Sequence, residues 1–164
     1  MRLNLREIID IPGGTVPFDY RLDLSGLESG SVVRIEDPAH VSGRIINRAG
    51  VLTVEGVLEV DVQCVCARCL KELYRHQEID IHSFLADELQ NENSDDTYLL
   101  DGDYADLDEI AETAFVLNTE QKLLCKEDCK GLCSKCGKDL NDGSCSCRED
   151  QDPRLAVLGQ LLEK

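Results

Sequence analysis

Nine cysteines fall in two groups along the 164-residue chain. Six lie in one polar block, CKEDCKGLCSKCGKDLNDGSCSC, which runs from Cys125 to Cys147. Within it Cys133 and Cys136 form CSKCG. Two thiolates separated by two residues, followed by a glycine that tolerates the left-handed conformation, can form a metal-binding turn whose amides point at the sulfurs. Cys145 and Cys147 follow the turn NDGS, and Cys125 and Cys129 precede, one helical turn apart. Four thiolates around Zn²⁺ give a closed tetrahedral site with no open position for water. The block has too few apolar side chains to build a core. Metal would supply its folding free energy, on the order of 10 kcal/mol at neutral pH. The spacing nominates Cys133, Cys136, Cys145 and Cys147 as ligands of a structural Zn²⁺, with Cys125 and Cys129 as substitutes. A catalytic zinc is disfavoured, because the block has no histidine and six thiols would fill the sphere. An iron–sulfur cluster would use the same ligands.

The second group is CVCARCL, with Cys64, Cys66 and Cys69. It reads as a redox pair, as half of a second zinc site, or as a contact loop headed by Arg68. The bland alternative is that Cys64 and Cys66 are small buried core residues, as free cysteines often are. A redox pair needs a depressed thiolate pKa, usually supplied by a helix N-terminus. Here the pair ends a strand, which weighs against it. The histidines carry less: His40 stands beside Pro38 in an expected turn, and His76 and His82 lie in an expected strand among polar neighbours. No Ser–His–Asp arrangement, GxGxxG or P-loop is present.

The elements that must position these thiols are mostly strands. VPFDYRLDLSG and VVRI are short extended stretches. Asn47 to Gly50 is a turn between two longer ones. After it, Leu52, Val54, Leu58, Val60 and Val62 share one face, a period of two that places Cys64 and Cys66 on the same apolar face. ARCLKE then turns the chain, and LYRHQEIDIHSF returns as another strand. The expected fold is α+β: a bent or barrel-like antiparallel sheet, one or two helices, and a C-terminal cysteine-rich zinc module. Residues 1–118 form the mainly antiparallel β domain, with an acidic solvated loop at 87–106 and a helix at 107–117. Asp106 caps that helix, with Glu109 placed for a capping box. Residues 119–164 hold the cysteine module and a terminal helix over DPRLAVLGQLLEK, opened by Asp152 and Pro153.

The formal net charge is −16, and residues 85–124 carry 12 acids against one base, Lys122. Such a field repels phosphate backbones and attracts basic partners. Non-specific nucleic-acid binding by this chain alone is therefore not expected, and a basic protein partner is easier to accommodate. The start, MRLNLREIID, has charges where a signal peptide needs an apolar core, and no run reaches the length of a membrane span. The expected compartment is the cytoplasm, where thiols stay reduced, so nine cysteines argue for metal rather than disulfides.

Four features carry a family resemblance. LDLSGL precedes short strands; GVLTVEGVLEVDVQCVCARCL resembles a strand leading into C-x-R-C-L, here Cys66, Arg68, Cys69 and Leu70. The tail resembles C-x3-C-x-G-L-C-x2-C-G-x-x-L-N…C-x-C, and DPRLAVLGQLL resembles the family's last helix. Together the chain resembles the YceD family of large ribosomal RNA accumulation proteins. The resemblance implies a non-enzymatic factor for accumulation of 23S ribosomal RNA and for large-subunit biogenesis. Its partner would be a large-subunit precursor or a basic ribosomal protein. Cys66, Arg68, Cys69 and Leu70 are the candidate partner contact. A cytosolic thiol redox protein using Cys66 and Cys69 is the alternative, and an RNA-processing enzyme is disfavoured, because no acid–base pair or open metal site is recognisable.

Overall fold

The computed structural model of the chain describes residues 1–27, 30–87 and 96–147. The expected terminal helix over DPRLAVLGQLLEK lies outside them. Nine elements follow in order: β1 Arg2–Asn4, β2 Thr15–Leu22, β3 Val32–Ile35, β4 Ala39–Arg48, β5 Val51–Val65, β6 Glu72–Ala86, β7 Thr97–Leu99, β8 Tyr104–Asp106 and α1 Leu107–Asn118.

The main sheet runs β2-β4-β5-β6-β7, and β3 pairs with the far end of β5. It is open rather than barrel-like. β6 and β7 pair in parallel, so the sheet is mixed at that edge rather than wholly antiparallel. Short β1 and β8 form a separate antiparallel pair. One helix is present among the described residues. Part of the stretch 87–106, expected to be a solvated loop, is strand: Thr97–Leu99 joins the main sheet and Tyr104–Asp106 pairs with β1. Ala105, fully buried within that acidic run, shows why. The acids flank a few apolar side chains that the core takes in.

The alternation read from β5 produces its burial. Leu52, Val54, Leu58, Val60, Val62 and Cys64 are all buried in one cluster with Ile79, Ile81 and Leu85 of β6. The β4–β5 turn is a two-residue loop with φ +54° at Ala49 and +95° at Gly50, the geometry that suits the twist of a hairpin. Asn47 holds it. Its amide nitrogen donates to the carbonyls of Ile8 (2.8 Å) and Ile9 (2.6 Å), and its oxygen accepts from Gly50 N–H (2.8 Å). Gly43 and Gly56 face each other across β4 and β5, with Phe18 packed over the pair. A Cβ at Gly43 would lie 2.3 Å from the Glu55 carbonyl oxygen and 2.7 Å from the Phe18 ring. The close approach of β4, β5 and Phe18 therefore needs glycine there.

Asp106 caps α1 through its side chain, which accepts from Asp108 N–H (3.1 Å). Leu107, Ile110, Ala111 and Phe115 face inward, and the helix packs on β6 and β1. From Thr119 the chain runs back along the sheet. The Ser31 hydroxyl accepts from Leu123 N–H (2.9 Å) and donates to the Gln121 carbonyl (3.2 Å). Ala67 N–H donates to the Leu123 carbonyl (2.8 Å). These bonds deliver Cys125 to the tip of the β5–β6 hairpin.

Candidate metal centres

Eight of the nine cysteines gather in two tetrads. The Sγ atoms of Cys66, Cys69, Cys125 and Cys129 lie within 4.8 Å of one another, and so do those of Cys133, Cys136, Cys145 and Cys147. Either set could hold a metal ion. Cys64 stands apart in the main core, where burial pushes its thiol up.

The first tetrad joins two regions distant in sequence. Cys66 and Cys69 come from the turn that closes the long β5–β6 hairpin, whose last pair is Val65↔Glu72. Cys125 and Cys129 come from the start of the tail. Cys66 Sγ is 3.8 Å from Cys129 Sγ, and Cys69 Sγ is 3.6 Å from Cys125 Sγ. Three of the four are buried, and they form a small cluster separate from the main core. Burial pushes the Cys66 thiol up, but the amides of Cys69, Cys125 and Arg68 outweigh it and bring it down to about 6. Burial pushes the Cys125 thiol up to about 12, helped by its cysteine neighbours. A hydrogen bond from Asn141 Nδ2 (3.4 Å) lowers the Cys129 thiol.

The second tetrad belongs wholly to the tail and is more exposed, with Cys136 and Cys147 open to solvent. Cys145 Sγ is 3.4 Å from Cys133 Sγ. The amides of Cys136 and Lys135 bring the Cys133 thiol down to about 6. Cys136 beside Cys147, with burial, pushes the Cys147 thiol up to about 12. In each tetrad hydrogen bonds from amides lower some thiols, while burial and neighbouring cysteines raise others.

Two side chains tie the tetrads to each other and to the sheet. Asn141, near the second set, reaches Cys129 in the first, and its oxygen accepts from Lys130 N–H (3.0 Å). Arg68 Nη1 donates to the Cys129 carbonyl (2.8 Å), and the Arg68 carbonyl accepts from Leu132 N–H (3.1 Å). Gly131 (φ +74°) passes so close that a Cβ there would meet the Arg68 carbonyl oxygen at 2.9 Å.

Sequence spacing grouped Cys133, Cys136, Cys145 and Cys147, which the structure also brings together. It offered Cys125 and Cys129 as substitutes within that set, whereas the structure places them with Cys66 and Cys69. Asn141 was not singled out; the LN that follows CGKD is its only trace in the sequence. Of the hairpin candidates, Cys66 and Cys69 are buried, while Arg68 and Leu70 are exposed, Leu70 by 62%.

The histidines lie elsewhere. His40 is in β4 rather than in a turn, its ring nitrogens 3.0 Å from Glu59 Oε2 and 3.1 Å from Asp19 Oδ1. His76 Nδ1 is 2.9 Å from Asp61 Oδ1. These are cross-strand pairs on an exposed sheet face. Among the described residues no helix is long and apolar enough to cross a membrane.

Comparison with known proteins gives a family. The family described as "Large ribosomal RNA subunit accumulation protein YceD" matches residues 54–162, a span that holds both tetrads. A plant relative, "Large ribosomal RNA subunit accumulation protein YCED homolog 1, chloroplastic" from Arabidopsis thaliana, is 45% identical over 42 residues. That stretch is 25% of this chain and 13% of the relative. No solved structure matches. The chain belongs to the YceD family of large ribosomal RNA subunit accumulation proteins.

Proposed function

We propose that this protein is a non-enzymatic cytoplasmic factor for accumulation of 23S ribosomal RNA during large ribosomal subunit biogenesis. The observation that carries the reading is the family match from Val54 to the tail, which takes in the β5–β6 hairpin and every tetrad cysteine. In this reading Cys133, Cys136, Cys145 and Cys147 bind a structural Zn²⁺ and fold the tail. Thiolate ligands suit zinc, and four of them leave no position for a reacting water.

The charge of −16 supports a basic ribosomal protein, or the protein surface of a precursor particle, as the direct partner rather than bare RNA. Within the hairpin candidates, Arg68 and Leu70 are the side chains exposed to such a partner. The low Cys66 thiolate is what a redox pair would use. Its crowding by Cys125 and Cys129, however, favours coordination over disulfide exchange.

Depletion of the protein from cells is expected to lower mature large-subunit RNA relative to small-subunit RNA. Sucrose-gradient profiles and the ratio of the two RNAs read this directly. An unchanged ratio after depletion would sink the proposal.

A further inference from the structure

We infer that Cys66, Cys69, Cys125 and Cys129 form a second structural zinc site, which fastens the tail to the tip of the β5–β6 hairpin. The hairpin turn repeats the backbone of the tail's own cysteine turn, bond for bond. Leu70 N–H donates to the Cys66 carbonyl at 2.9 Å, as Gly137 N–H donates to the Cys133 carbonyl at 2.9 Å. Cys66 N–H donates to the Lys71 carbonyl at 2.9 Å, as Cys133 N–H donates to the Lys138 carbonyl at 2.8 Å. In both turns the residue after the second cysteine is left-handed, with φ +58° at Leu70 and +71° at Gly137.

For Gly137 that conformation is free, but for leucine it costs about 1 kcal/mol or more. A strained residue persists where its surroundings over-determine it. Here the geometry gained is two thiolates splayed toward one point.

The sulfur spacing agrees. Four thiolates about 2.3 Å from a tetrahedral zinc lie roughly 3.8 Å apart, and the Cys66–Cys129 and Cys69–Cys125 sulfur contacts are 3.8 and 3.6 Å. A disulfide would need about 2.05 Å. The ligand carbonyl and sulfur of Cys129 are held by Arg68 and Asn141, the kind of outer hydrogen bonding that orients metal ligands. The alternative is that these thiols merely fill a core. It leaves unexplained why a cluster of three buried cysteines stands apart from the main core. On binding, four Zn–S bonds form and the thiol protons leave to solvent.

The test is metal content of the full-length chain purified from cells without added metal. Native mass spectrometry and elemental analysis are expected to give two zinc ions per chain. The Cys125→Ser/Cys129→Ser variant should retain one, and so should Cys133→Ser/Cys136→Ser. In the latter background, Asn141→Ala should lose its remaining zinc to a chelator about 10-fold faster. One zinc in the wild-type chain, lost in Cys133→Ser/Cys136→Ser, overturns the second site and leaves the tail site standing. Two zinc ions retained in Cys125→Ser/Cys129→Ser also overturns it. A wild-type count below two overturns the two-site arrangement even if a variant does not fold. No ribosomal readout enters, so the outcome is independent of the proposed role in RNA accumulation.

Discussion

His40 stands between two carboxylates, Glu59 and Asp19, and both favour its charged form, Glu59 the more. Its pKa is raised above 6.5 in the folded chain. A raised pKa means that folding is favoured by protonation. The stabilisation is fully present below the ordinary value and is lost as pH rises through the raised one. Thermal unfolding of the wild type and of His40→Gln should therefore differ more at about pH 6 than at about pH 9. A difference that stays flat or grows with pH would contradict the pairing. At this same scale, the cysteines show where sequence reading stops. Cys133 and Cys136 share a turn, and Cys145 and Cys147 sit a short loop away, so spacing alone groups them. Cys69 and Cys125 are 56 residues apart, and Cys66 and Cys129 63. Their meeting depends on where the sheet delivers the tail, which no local pattern encodes.

At the scale of elements, period-two alternation made β5 legible, because one of its faces is buried along almost its whole length. The Asn47–Gly50 turn and the Asp106 cap were legible for the same reason: each solves a local backbone problem with a characteristic residue. The open edge and the parallel β6–β7 pairing were not. They rest on three-residue β7 inside a run whose composition is that of a solvated loop. The Gly43–Gly56 contact is an element-scale constraint with a sharp consequence. Gly43→Ala would force a Cβ into the Glu55 carbonyl and the Phe18 ring, and backbone cannot move as a flexible side chain can. The expected cost is about 2–3 kcal/mol in urea unfolding. A loss under about 0.5 kcal/mol, the range of ordinary surface changes, would show that β4 and β5 can spread there.

At the scale of the whole molecule, the main core and the cysteine cluster are separate. The sheet and α1 bury their own apolar faces, while the tail between Leu124 and Cys147 contributes little beyond its thiols. Metal removal should therefore divide the molecule rather than unfold it. After chelation under reducing conditions, far-ultraviolet circular dichroism should keep the sheet signal. Limited proteolysis should begin to cut after residue 123. Simultaneous loss of the sheet signal would mean that the tail supports the core directly.

The hairpin turn also sets a timetable. β5 and β6 are neighbours in sequence, so their half of the first tetrad can form as soon as both strands have left the ribosome. The hairpin is complete at Ala86, and Cys129 follows 43 residues later, about 2–9 s of synthesis at 5–20 residues per second. During that interval Cys66 and Cys69 are a bare dithiol at the end of a finished hairpin, open to oxidants and to competing metals. Once Cys129 arrives, the pair is enclosed. The vulnerable period of this site thus lies in the nascent chain, and the closed tetrad marks a chain whose synthesis has passed Cys129.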